Sequence, residues 1–67
     1  MNGTLEAVRD CGSVVQMFIR DEDGDLVVAA GDGNLTRAAL ADSGIEAGDA
    51  IEFDIEDWGG LAWFAPA

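Results

Sequence analysis

From Ile51 to Trp58 the chain reads IEFDIEDW, with apolar and acidic residues alternating as far as Glu56. An extended strand turns successive side chains to opposite faces, so Ile51, Phe53 and Ile55 share one face while Glu52, Asp54 and Glu56 share the other. The same pattern reading yields four more strands. VVQMFIR (14–20) is rich in β-branched and aromatic residues and places Val15, Met17 and Ile19 together. GTLEAVRD (3–10) is a first strand with imperfect alternation, and CGS (11–13) separates the two. DEDGD (21–25) supplies turn chemistry, with Asp23-Gly24 as the predicted tight hairpin pair, and LVVAA (26–30) returns antiparallel.

GDGN (31–34) then turns the chain into LTRAALADSG. Asn34 or Thr36 is the expected N-cap, Ala38, Ala39, Leu40 and Ala41 favour a helix, and Gly44 suits the left-handed residue that ends one. Leu40 and Ile45 are expected against the sheet. EAGD (46–49) leads into the alternating strand 50–56, DWGG (57–60) turns again, and LAWFA (61–65) closes the sheet before Pro66. The predicted fold is α+β, a small, mostly antiparallel sheet in the order β-β-β-α-β-β with one short helix packed on one face. Residues 1–67 are read as a single domain. Trp63 and Phe64 are adjacent on a strand, so one of them must leave the core, either as an exposed anchor or in a satellite cluster.

Charge changes what this surface means. Fourteen acids face three arginines, with neither lysine nor histidine, for a net charge of −11. Residues 1–20 hold Glu6, Asp10, Arg9 and Arg20 and cancel; the remaining twelve acids and Arg37 lie in residues 21–67. So acidic a chain is not expected to bind a phosphate backbone directly, because that affinity comes from cations. It should instead be steered to basic surfaces. Carboxylates two apart on a strand stand about 6.6–6.8 Å apart, so Glu52, Asp54 and Glu56 are expected to form a row of negative charge. Asp21, Glu22, Asp23 and Asp25 add a second group. Such crowding costs stability unless a partner or a salty solvent offsets it.

No constellation points to catalysis, and the chain is not expected to be an enzyme or to carry a cofactor. As a calcium loop, DEDGD would need glycine where Leu26 stands, so no metal is expected. Cys11 has no histidine to activate it. GDGN lacks the lysine and spacing of a phosphate loop, and 67 residues leave little room for a pocket that separates two carboxylate pKa values. No run of 18 apolar residues and no leader pattern is present, so neither a membrane span nor a signal peptide is expected. With one cysteine, this suggests a reducing, intracellular setting, the cytoplasm.

In size, net charge and clustering, the whole chain resembles the small acidic anti-CRISPR proteins and related DNA-mimic inhibitors. That resemblance implies non-catalytic inhibition of a CRISPR effector or similar nucleic-acid-binding complex, by an acidic face standing in for phosphates. Its binding residues would be Asp21, Glu22, Asp23, Asp25, Glu52, Asp54, Glu56 and Asp57, with Trp58 beside them, on a monomer rather than a dimer. LADSGIEAGDAIEFDIED (40–57), through Gly44, Ile45, Gly48 and Asp49, is similar to a segment of AbrB-type swapped-hairpin regulators. That similarity implies a dimeric, antitoxin-like protein with a basic partner. A third reading needs no partner: an acidic composition without lysine also suits a binding module of a salt-loving organism.

Overall fold

The computed structural model covers Met1–Ala67. Five strands, β1 (Asn2–Asp10), β2 (Val14–Asp21), β3 (Leu26–Asp32), β4 (Ala50–Ile55) and β5 (Leu61–Pro66), and one helix, α1 (Gly33–Ser43), follow the predicted order. All neighbouring strands are antiparallel, in the sheet order β3-β2-β1-β4-β5. β1, β2 and β3 form a meander, and α1 carries the chain back so that β4 lies beside β1, which is a Greek key. The sheet curls until Gly31 near the end of β3 faces Leu61 at the start of β5, giving a five-stranded, partly open barrel.

The inner face holds the core. Val15, Met17 and Ile19 of β2, Leu5 of β1, Ala29 of β3, and Ile51 and Phe53 of β4 are fully buried. Leu40 and Ile45 pack against this cluster from the helix and the segment after it, as expected. The imperfect alternation of β1 has a simple cause: its register against β2 slips between Leu5 and Ala7, making Glu6 a bulge residue.

Two local expectations are corrected. Asp23-Gly24 is not a two-residue hairpin. Asp21 N–H donates to the Asp25 carbonyl and Gly24 N–H to the Asp21 carbonyl, so the loop has three residues, 22–24. Gly24 alone takes positive φ there, which fits a type I turn closed by a left-handed glycine. Nor is GDGN a turn of its own. β3 runs on to Asp32 and α1 starts at Gly33, with Asp32 as N-cap accepting from Leu35 N–H at 2.9 Å. Asn34 accepts from Arg37 instead, and Thr36 is buried under Gly31, where an added Cβ would stand 2.5 Å from its Oγ1.

Candidate functional site: an acid-bearing end of the barrel

Strand direction decides where the acids gather. β2 and β4 lie on either side of β1 and both run antiparallel to it, so both leave the sheet at the end where β1 begins. The turn after β2 carries Asp21, Glu22, Asp23 and Asp25, and the turn after β4 carries Glu56, Asp57 and Trp58. Met1 sits between the two turns, its ammonium donating to the Phe53 carbonyl at 2.7 Å. Asn2 links the groups, standing opposite Glu52 in β4 and lining a shallow groove with Met1, Asp21, Glu22 and Asp23.

Glu52 and Asp54 point outward from β4 and are exposed, while Ile51 and Phe53 are buried and Ile55 is half-buried. The regular row is shorter than expected. The β4–β5 register slips after Asp54, and Glu56 lies beyond the strand, where its N–H bonds the Gly60 carbonyl and its carbonyl receives Gly59 N–H. Two carboxylates therefore stand at strand spacing, and the third begins the turn.

The aromatic pair is resolved by register. Phe64 lies opposite Phe53 and is half-buried against the core; Trp63 lies opposite Asp54, on the outer face, 49% exposed. Sequence reasoning showed that one of the two leaves the core, but which one follows from the length of the DWGG turn, which sets the pairing. Trp58 is 77% exposed, and its indole lies so close over Gly60 that a Cβ there would overlap the ring. Gly60 thus gives the indole a flat seat at the rim of the acidic end.

Ion pairing sets apart only Glu6 and Asp10; the other acids, those of this end and Asp32, Asp42, Glu46 and Asp49 alike, pair with no arginine. The protein's two ion pairs use Glu6 with Arg20, at 3.0 Å, and Asp10 with Arg37, at 2.8 Å. The Arg20 guanidinium holds Glu6 below its ordinary pKa, and Glu6 in turn raises that of Arg20. Asp10 is lowered first by the Gly12 N–H that it accepts and then by Arg37. None of Asp21, Glu22, Asp23, Asp25, Glu52, Asp54, Glu56 and Asp57 is in an ion pair. Asp21 Oδ1 accepts from the N–H of Asp23 and of Asp25, each at 2.9 Å, and so draws the carboxylate oxygens of Asp21, Asp23 and Asp25 within 4.8 Å of one another. The turn itself accounts for that convergence. Cys11 is exposed at the opposite end, its Sγ 4.0 Å from the Arg9 carbonyl and from Gln16 Oε1.

Outside this end, Asp42, Glu46 and Asp49 are exposed near the C-terminus of α1 and in the loop to β4. Within the span 40–57, Gly44 and Gly48 take φ of 69° and 98°, conformations that favour glycine, and β4 pairs with β1 and β5 of its own chain. No helix is long and apolar enough to cross a membrane. A scan against protein-family models and searches of curated proteins and of solved structures give no match for this chain.

Proposed function

We propose that the chain is a non-catalytic inhibitor that docks its acid-bearing end on the lysine- and arginine-lined surface of a nucleic-acid-binding protein and so excludes the nucleic acid. A CRISPR effector is the target that size and charge favour within that class. The observation that carries this reading is the gathering of eight carboxylates at one end, none paired with the protein's own arginines, beside an exposed Trp58. Carboxylates left unpaired keep their charge free for another molecule, and an indole held flat at their rim can supply the desolvated anchor on which tight interfaces depend.

The test is competition for a cationic nucleic-acid-binding protein against its labelled duplex. Combining Glu52→Gln, Asp54→Asn and Glu56→Gln should leave the fold intact and weaken competition about 100-fold. Added salt should weaken the wild type steeply, because the contacts replace those of phosphates. Full competition by the variant would remove Glu52, Asp54 and Glu56 from the binding face. A second reading, a salt-adapted module without a cationic partner, is favoured by Asp42, Glu46 and Asp49, which are exposed in the last turn of α1 and the loop to β4 rather than in the two turns and the strand that carry the eight.

A further inference from the structure

The barrel does not close. β3 and β5 are the two ends of the sheet order, so no ladder joins them, although a Cβ on Gly31 would stand 3.4 Å from Leu61 Cδ2. The gap opens into a cleft of about 270 Å³ between β5 and the start of α1. Leu35 of α1 and Leu61, Trp63 and Phe64 of β5 line it, together with Asp32 and Thr36. Two of these apolar side chains are spread before solvent: Leu35 is 74% exposed and Trp63 about half. An occupant between them would bury both. Pockets that enclose drug-sized ligands run from about 300 to 1,000 Å³, so this cleft suits one side chain rather than a cofactor.

Its single charge selects the kind of side chain. Asp32 Oδ2 takes the Leu35 N–H, while Oδ1 has no protein donor and neither ion pair of the protein involves this carboxylate. A wholly apolar occupant would strip water from Asp32 without supplying a counter-charge, and an acid would be repelled. A cation on an apolar stem satisfies walls and carboxylate together. We infer that the cleft seats one arginine side chain of a partner, its stem against Leu35 and Leu61 and its guanidinium between the Trp63 indole and Asp32. Arginine fits better than lysine because a planar guanidinium lies flat on an indole while its N–H groups reach a carboxylate, whereas an ammonium must shed tightly held water.

The position suits such an anchor. Trp63 stands opposite Asp54 on the outer face, and the cleft lies on the far side of β5 from β4. A surface covering Glu52 and Asp54 therefore meets Trp63 next and the cleft beyond it. A cationic partner, as proposed above, would supply this arginine; the cleft's preference can be read without one.

The probe is N-acetylarginine methylamide, titrated into the labelled protein at constant ionic strength and followed by NMR. The Trp63 indole N–H and the Leu35 and Leu61 methyls should shift together and saturate, with the Trp58 indole unmoved. Asp32→Asn keeps the helix-cap acceptor and removes the charge, and Trp63→Leu keeps an apolar wall and removes the ring. Each should weaken binding about two- to fivefold, the range of an exposed ion pair or cation–π contact. The lysine analogue should bind more weakly than arginine, and the leucine analogue more weakly still. Shifts scattered over the acids and absent from Trp63 and Leu35 would overturn the inference. So would equal binding by the lysine or leucine analogue, or affinity unchanged in Asp32→Asn. Competition for a nucleic-acid-binding protein is tested through Glu52, Asp54 and Glu56, so the two readings fail separately.

Discussion

Asp32 ends β3 and caps α1 in the same residue: its carboxylate takes the Leu35 N–H while its neighbour Gly33 donates to the Ser13 carbonyl. Gly33 has no room for a Cβ, which would overlap the Gly12 carbonyl, so the β1–β2 turn lies directly on the helix start. Arg37 fastens that turn from above, donating to Asp10 Oδ1, the Gly12 carbonyl and Asn34 Oδ1. The cap can be tested apart from the charge. Asp32→Asn keeps an acceptor and removes a carboxylate from an over-charged chain, so it should be neutral or slightly stabilising. Asp32→Ala should cost about 1 kcal/mol, and Asn34→Ala only a few tenths, read from urea midpoints. A larger loss from Asn34→Ala than from Asp32→Ala would restore the cap expected from the sequence.

At the scale of elements, the Glu6 bulge turns a carboxylate outward beside Arg20, whose guanidinium also reaches the Gly24 carbonyl at 3.1 Å. One pair thus ties β1 to β2 and to the loop after it. Because the folded pKa of Glu6 is lowered from its ordinary 4.5, its contribution is present in full above that value and is lost as pH falls through the lowered folded value. Glu6→Gln should therefore lower the urea midpoint at about pH 7 and leave it nearly unchanged at about pH 2. An equal loss at both would mean that Glu6 acts through packing. This bulge also marks the limit of pattern reading. β2 and β4 were legible because each presents one unbroken apolar face, Val15, Met17, Ile19 and Ile51, Phe53, Ile55. A residue inserted into β1 shifts the face of everything after it, and alternation alone cannot show that. Asp23-Gly24 misled for a related reason. The dipeptide fits two turns, and the carboxylate of Asp21, bonding the N–H of Asp23 and of Asp25, selects the longer. The acids were visible one by one, but their meeting at one end required the strand order, since β1 between β2 and β4 is what makes those two run the same way.

For the molecule as a whole, the net charge of −11 must be offset by solvent ions whenever no partner is bound. The melting temperature should accordingly rise between about 10 mM and about 1 M sodium chloride, and where neutralisation recovers that gain distinguishes a localised acidic face from a uniform coat. Glu52→Gln, Asp54→Asn and Glu56→Gln together should raise the low-salt melting temperature well above that of Asp42→Asn, Glu46→Gln and Asp49→Asn, each set removing three charges. The comparison is weighted against a localised face. Asp42 lies in the last turn of α1, which has no basic residue, and a negative charge there also opposes the helix dipole. If the remote set gains as much as the acidic-end set, repulsion is spread over the surface and salt adaptation explains the composition without a partner. If the acidic-end set gains clearly more, the protein concentrates strain at one end, which a cationic surface would relieve on binding.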